Sequence, residues 1–241
     1  FVDQKASDKN VEELLYRLYS PVIFRALQVA NPSVRENALY QLAMVFPLVP
    51  PTLPQGEFDE ALQDQVHILV DALEDPMPKV RAQAVLSIGR ILALFWEILP
   101  PQSLHAIISH LVNEVAFDKT SPNVREATFK AMGALLENPL THRFLKDKAY
   151  LARLSPLIFD TTDRVRLACA TLLEQVKKIK LIRFYEVVEL DRILDALAHE
   201  NAPKVRTALC RVLQSSYWPA DRYPIAEIVT RAKDMIATNA E

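Results

Sequence analysis

A Val-Arg pair recurs five times along the chain at nearly constant intervals. The pairs begin at Val34, Val80, Val124, Val165 and Val205, so the intervals are 46, 44, 41 and 40 residues. A period of this size indicates a repeat protein, in which each unit is one supersecondary element and neighbouring units bury a shared core. This recurrence limits the possible fold more than any other feature of the sequence.

Each Val-Arg pair follows a turn signal and opens a helical pattern. The turns read NPS, DPMPK, TSPN, DTTD and NAPK, and four of the five contain proline, which favours a helix start. Mostly apolar residues stand three, four and seven positions beyond each arginine, on the same helical face as the preceding valine. Cys169 and Cys210 occupy such positions in the last two repeats, so we expect both to be buried free cysteines.

A second helical stretch precedes each turn, so the unit is helix, tight turn, helix. Its length of 40 to 46 residues is typical of HEAT and armadillo repeats. We predict an all-α HEAT-repeat α-solenoid, a superhelix of stacked helical hairpins. One solenoid over residues 1–241 would contain five repeats, at about 11–48, 58–98, 101–138, 143–181 and 184–217, and a C-terminal helix at 221–238. The chain does not begin with methionine, and we expect it to be a fragment of a longer protein.

An acidic residue stands six or seven positions before most of the recurring arginines. Asp75 and Arg81 form one such pair, whereas the first repeat has Val29 at the corresponding place. HEAT repeats use acid–arginine pairs as a ladder from unit to unit, and the planar guanidinium can hold several acceptors at once. We therefore interpret the arginines as structural, with Asp75 as the expected partner of Arg81. The predicted ladder comprises Asp75, Arg81, Arg125, Asp160, Arg166, Glu200 and Arg206.

The sequence contains no motif typical of an enzyme. Its five histidines form no HExxH pair, and GxSxG, Walker and CxxC motifs are missing. We expect no catalytic site, no metal, no cofactor and no membrane segment. A DNA glycosylase built on HEAT-like repeats would need a basic concave face and stacking aromatics, but Trp96 and Trp218 lie in apolar contexts that indicate core positions. The net charge of −2 gives no general attraction for nucleic acid.

Charge is distributed unevenly along the chain. Residues 1–139 carry a net charge of −6, residues 140–183 carry +6, and residues 184–241 carry −2. The densest basic stretch is KKIKLIRF, which contains Lys177, Lys178, Lys180 and Arg183. These cations could simply complement a helix C-terminus and keep the surface solvated. Alternatively they neutralise phosphates, in which case binding would weaken with salt and would not depend on base sequence.

Several segments resemble the family of G-type HEAT-repeat (non-SMC) subunits of condensin II. They follow one another in the family's order between about residues 14 and 215. The segments are LYSPVIFRALQVANPSVRENA (18–38), FPLVPP (46–51), FWEILPP (95–101), VAFDKTSPNVREATFKAM (115–132), LENPLTH (136–142) and DRVRLACATLLEQVKKIKLIRFYEVVELDRIL (163–194).

The resemblance implies a scaffold without catalytic activity that acts in mitotic chromosome condensation, in the nucleus and on chromosomes. Its implied partners are the kleisin subunit, the SMC ATPase subunits indirectly through the complex, and double-stranded DNA by analogy with condensin I. The alternative is a HEAT or armadillo protein-binding scaffold of another complex, of the transport-receptor or phosphatase-scaffold type, without DNA binding.

Overall fold

A computed structural model of the chain describes residues 9–217 and 224–238, and within these ranges all regular structure is helical. The α-helices are α1 Lys9–Leu27, α2 Pro32–Val45, α3 Gln55–Asp71, α4 Pro78–Leu94, α5 Pro101–Asn113, α6 Pro122–Glu137, α7 Thr141–Asp147, α8 Asp163–Val176, α9 Phe184–Val187, α10 Leu190–His199, α11 Pro203–Tyr217 and α12 Ile225–Thr238. Short 3-10 helices cover Ala72–Glu74, Trp96–Ile98, Val115–Phe117 and Leu151–Phe159.

Proline opens the second helix of four hairpins. Helices α2, α4, α6 and α11 begin at Pro32, Pro78, Pro122 and Pro203. The first N–H groups of a helix have no acceptor within the helix, so a residue without an N–H is tolerated there. Helix α8 follows the one turn without proline and begins at Asp163. A carboxylate is stabilised at this position by the positive N-terminal end of the helix dipole.

The second helices bury the stripe that the sequence predicts, except at Cys210 and at Val34, which is 38% exposed. The residues seven positions beyond the recurring arginines are all buried, namely Leu42, Ile88, Met132, Leu173 and Leu213. Cys169 is also buried, and burial raises the pKa of its thiol to about 12. Cys210 is exposed, so its predicted burial is wrong. It lies four residues after Arg206 on the exposed stripe of α11, one position beyond the buried Leu209.

The chain forms two compact units that divide between Leu135 and Leu136. In the first unit, α1 packs on α2, and α2 packs on α4. Helix α4 meets α6 so closely at Gly89 that a Cβ there would lie 2.5 Å from the Cβ of Ala131. In the second unit, α8 packs on α11 and on the 3-10 helix 151–159. Within each unit, the second helices of successive hairpins therefore lie side by side.

The first half of the fourth hairpin consists of two helical segments, α7 and the 3-10 helix Leu151–Phe159, with a break between them. Helix α7 ends at Asp147, and Ala149 takes a φ of 50°, in the left-handed region that residues with a Cβ seldom adopt. Tyr150 follows and is fully buried, with its ring 5.6 Å from that of Phe144. Because of this break α7 is a separate helix, and its Lys146 contacts the loop that follows α8.

Candidate functional site

The recurring arginines hold the turn of their own hairpin through a backbone carbonyl. The Nη1 atom of Arg81 donates a hydrogen bond to the carbonyl oxygen of Asp75 at 2.8 Å. Arg35, Arg125 and Arg166 donate equivalent bonds to the carbonyls of Val29, Asp118 and Asp160, at 2.9, 2.9 and 2.7 Å. Because the acceptor is the backbone, this bond needs no acidic side chain. The first repeat can therefore carry Val29 at this place and still make the same bond.

In Arg35 and Arg166, the remaining guanidinium nitrogens reach the acid of the next hairpin. Nε and Nη2 of Arg35 donate to the two carboxylate oxygens of Asp75 at 2.7 and 2.9 Å. Arg166 binds Glu200 in the same bidentate manner at 2.6 and 2.8 Å. Charge-assisted pairs of this geometry are among the stronger hydrogen bonds in proteins. Arg35 and Arg166 thus each join two successive hairpins.

The carboxylate partner of Arg81 is Asp118, not Asp75 as predicted from the sequence. Its Nε donates to the carboxylate of Asp118 in the following hairpin at 2.9 Å, and its Nη2 lies 2.7 Å from the same group. The carboxylate of Asp75 is bound by Arg35 of the preceding hairpin. The predicted Asp75–Arg81 side-chain pair is therefore wrong, because Arg81 binds Asp75 only through its carbonyl oxygen.

The ladder acids also close the turn in which they lie. The carboxylate of Asp75 accepts the N–H of Met77 at 2.8 Å. Asp118, Asp160 and Glu200 accept the N–H two residues onward at the same distance. Burial acts to raise the pKa of Asp75, but hydrogen bonds from Arg35 and Met77 and the charges of two arginines hold it below its usual value. The pKa of Glu200 is also lowered, and the largest cause is the hydrogen bond that its carboxylate accepts from Arg166.

These contacts bury most of the ladder cations. The side chains of Arg35, Arg81 and Arg166 are 15%, 13% and 21% exposed, so their charges face carboxylates rather than solvent. Arg206 differs, because it is exposed and its side chain makes no such bond within the part of the chain that the structure describes.

The four cations predicted to bind phosphate lie together in one loop between α8 and α9. We call residues 177–183 the basic loop. Lys178, Lys180 and Arg183 are exposed, whereas Lys177 is half-buried at the end of α8. The structure brings these four residues together but gives Lys177 different surroundings from the other three.

Lys177 is bound to the neighbouring hairpin. Its Nζ donates to the carbonyl oxygen of Arg211 in α11 at 2.6 Å. Burial lowers the pKa of the Lys177 ammonium, and the nearby charge of Glu174 acts in the opposite direction. Part of its hydrogen-bonding capacity is therefore used inside the second unit.

Lys146 is a further cation at the basic loop, and no local sequence pattern marks it. Its Nζ donates to the carbonyl oxygen of Leu181 at 2.8 Å and lies 4.0 Å from Oε1 of Glu186. The other carboxylate oxygen of Glu186 accepts the N–H of Arg183 at 2.9 Å. Lys146 stands 35 residues before Leu181, so only the packing of α7 against the loop reveals this contact.

Further sequence-based expectations concern metal sites, membrane segments and the two tryptophans. Residues 9–217 and 224–238 contain no group of three or more His, Cys, Asp or Glu side chains placed to hold a metal ion. The same residues include no helix that is long and apolar enough to cross a membrane. Trp96 is half-buried, and Trp218, the other predicted core tryptophan, lies outside the described residues.

Two open cavities with mostly apolar walls lie among the described residues of the first unit. One, of about 320 Å³, lies between α3 and α5 and includes His67 and His110 in its lining. The other, of about 420 Å³, lies at the ends of α2 and α4 beside the proline-rich segment 46–54. Neither cavity includes any of the predicted phosphate-binding cations.

The chain is similar in sequence to subunits of one chromosomal complex. A family model described as condensin II non structural maintenance of chromosomes subunit matches residues 1–50. The chain is 33% identical over 222 residues to condensin-2 complex subunit G2 of Homo sapiens, an alignment that covers 92% of this chain and 19% of that protein. For the Danio rerio subunit the identity is 32% over 231 residues, or 96% of this chain and 20% of that protein. The chain therefore spans about a fifth of the length of these curated relatives, and the resemblance expected from the sequence is confirmed.

Solved helical-repeat proteins share the fold. A designed armadillo repeat protein in complex with the peptide (KR)4 matches with a TM-score of 0.54 and 16% identity, over 91% of this chain and 98% of that chain. A chain from the Pds5-Scc1 complex matches with a TM-score of 0.55 and 17% identity, over 99% of this chain and 35% of that chain. These matches concern the fold alone, and they confirm the predicted class, an all-α solenoid of HEAT or armadillo type.

Proposed function

The chain belongs to the family of condensin-2 complex subunit G2, to which it is related over 92% of its length, and from this relationship we propose that it is part of a non-catalytic scaffold subunit of condensin II. The family model that matches residues 1–50 describes a non-SMC subunit of condensin II, and the relatives are named as subunit G2 of the condensin-2 complex. The fold supports the same role, because a helical-repeat solenoid offers extended surfaces to partner chains. In this proposal the subunit acts in mitotic chromosome condensation, in the nucleus and on chromosomes.

The proposed protein partner is the kleisin subunit, through which the chain contacts the SMC ATPase subunits indirectly. The names of the relatives describe them as members of a multisubunit complex. A chain of the same fold was solved as part of the Pds5-Scc1 complex. Support for the kleisin as partner therefore comes from the family relationship and from the general ability of solenoids to hold a second chain.

Chemical cross-linking of the assembled condensin II complex tests the kleisin contact. Lysine-reactive cross-links are expected between the kleisin and exposed lysines of this chain, such as Lys130 and Lys148. If the kleisin instead cross-links only to other parts of the subunit while these lysines react readily with free reagent, the proposed contact lies elsewhere.

The proposed second ligand is the phosphate backbone of double-stranded DNA, bound at the basic loop. The observation that carries this proposal is the exposure of Lys178, Lys180 and Arg183 within six consecutive residues of one loop. Lysine and arginine neutralise phosphates and release condensed counterions, which provides affinity without reading base sequence. The proposed binding is therefore independent of DNA sequence.

Neutralising these three cations tests the DNA contact. The variant Lys178→Ala, Lys180→Ala, Arg183→Ala, in complex with the kleisin, should bind duplex DNA more weakly. The slope of log K against log salt should also become shallower by about 0.9 for each phosphate that the protein no longer neutralises.

A control variant in the first unit removes the same charge at Arg25, Arg90 and Lys119, which are exposed. This control should retain the affinity and the salt slope of the unaltered complex. An equal decrease of affinity in both variants would mean that only net charge matters, and the basic loop would not be a binding site.

A further inference from the structure

We propose that Lys146 and Lys177 are positioning residues that hold the basic loop in one conformation, so that Lys178, Lys180 and Arg183 form a preorganised phosphate-binding surface. This inference rests on the proposed DNA contact and deepens it. It divides the cations around the loop into two that bind protein carbonyls and three that remain available to phosphate.

The first anchor fixes the start of the loop. The Nζ of Lys177 donates to the carbonyl oxygen of Arg211, which ties the end of α8 to α11 of the next hairpin. The following two amides turn back on α8, because Lys178 N–H donates to the Gln175 carbonyl at 3.0 Å and Ile179 N–H donates to the Val176 carbonyl at 2.9 Å. The backbone that carries Lys178 is therefore bound on both sides.

The second anchor fixes the end of the loop. The Ile182 side chain is only 3% exposed and packs into the second unit. Next to it, the Nζ of Lys146 donates to the Leu181 carbonyl and lies close to Glu186, whose carboxylate also accepts the N–H of Arg183. These contacts tie the loop to both α7 and α9.

Between the two anchors the backbone of the basic loop is fixed, and the side chains of Lys178, Lys180 and Arg183 remain exposed to solvent. Ordering a mobile segment costs free energy on binding, and a segment that is already ordered avoids that cost. Lys146 and Lys177 therefore assist binding without contacting phosphate. Salt dependence separates the two roles, because the slope of log K against log salt counts the phosphates that a protein neutralises.

The experiment compares Lys146→Met, Lys177→Met and Lys178→Met in the complex of the full subunit with the kleisin. Duplex affinity is measured across a range of salt concentrations, and hydrogen exchange of the amides of residues 178–183 is measured without DNA. Methionine keeps an unbranched side chain and removes the charge and the donor.

For Lys146→Met and Lys177→Met we expect faster exchange in the loop and affinity reduced by about threefold to tenfold, with an unchanged salt slope. For Lys178→Met we expect unchanged exchange and a slope shallower by about 0.9. Lys146→Arg, which keeps a charged donor, should restore slow exchange.

Two results would overturn the inference. If Lys146→Met and Lys177→Met reduce the salt slope as Lys178→Met does, both lysines are phosphate ligands. If neither variant changes exchange in the loop, the lysines do not hold it, whatever happens to DNA binding. By contrast, the absence of any salt-dependent duplex binding by the unaltered complex would refute the proposed DNA function itself, and the exchange data would still report on the anchors.

Discussion

Arg81 connects two hairpins with a single side chain. Its Nη1 binds the Asp75 carbonyl in its own turn, and its Nε and Nη2 reach the Asp118 carboxylate in the next. A lysine has one compact ammonium group and cannot present donors in two directions in this way. Arg35 and Arg166 make the same two kinds of contact, so this geometry explains why arginine rather than lysine follows the valine in these repeats.

The ladder acids should make stability depend on pH. The pKa values of Asp75, Asp118 and Glu200 lie below their usual range in the folded chain. Since the folded pKa is lower than the unfolded one, each carboxylate stabilises the fold above about pH 4, and this contribution is lost as pH falls through the folded pKa. We expect the melting temperature to change little between about pH 7 and pH 5 and to decrease below about pH 4.

Thermal unfolding followed at a series of pH values checks this expectation. A Glu200→Gln variant should unfold at a lower temperature at neutral pH but lose less stability on acidification than the unaltered chain. Identical pH profiles for the two proteins would contradict the assigned role of Glu200.

At the scale of elements, the contact between α4 and α6 depends on Gly89. A Cβ at this position would lie 2.5 Å from the Cβ and 2.6 Å from the Cα of Ala131, and the backbone of α6 cannot easily give way. The gain in helix propensity from alanine, about 1 kcal/mol, opposes this overlap only in part. The close packing of α4 against α6 therefore requires a glycine at position 89 because a side chain would not fit there, and not because the backbone needs a special conformation.

We expect Gly89→Ala to destabilise the chain by about 1–2 kcal/mol, because overpacking in a core costs about 1–3 kcal/mol. The control is Gly56→Ala in the first turn of α3, where an added Cβ would meet nothing within 4 Å. Chemical denaturation of both variants measures the difference. Should Gly89→Ala be as stable as Gly56→Ala, the helices must be able to move apart at little cost.

The helices and their starts could be predicted from the sequence because they depend on local signals. Proline at the first helical position and apolar residues at fixed spacing act within one hairpin. The exposure of Cys210 could not be predicted, since its neighbours in sequence resemble those of a buried residue. Whether the stripe containing Cys210 is covered depends on packing against other elements.

Side-chain pairing was less predictable for the same physical reason. Asp75 stands six residues before Arg81 and 40 residues after Arg35, and the repeat makes both pairings possible. Only the distance between successive hairpins selects Arg35 as the partner of the Asp75 carboxylate. The contact between Lys146 and Leu181 likewise depends on how α7 packs, which no periodic pattern specifies.

At the scale of the whole molecule, the cations fall into two classes. Cations that recur with the repeat, such as Arg35, Arg81 and Arg166, are largely buried against carboxylates. Cations that do not recur, such as Lys178 and Lys180, are exposed in a basic segment of an otherwise acidic chain. The central claim of this account is that the buried recurring arginines Arg35, Arg81 and Arg166 maintain the fold, whereas the exposed cations of the basic loop bind phosphate.

The most direct test is to measure thermal stability and duplex affinity together for Arg81→Ala and for the triple alanine variant of the basic loop, each in complex with the kleisin. Arg81→Ala should lower the unfolding free energy by about 2–3 kcal/mol, because it leaves a half-buried carboxylate without its partner, and should leave the DNA affinity of the folded protein nearly unchanged. The triple variant should keep its melting temperature and bind DNA more weakly. A normal melting temperature with abolished DNA binding in Arg81→Ala would contradict the account.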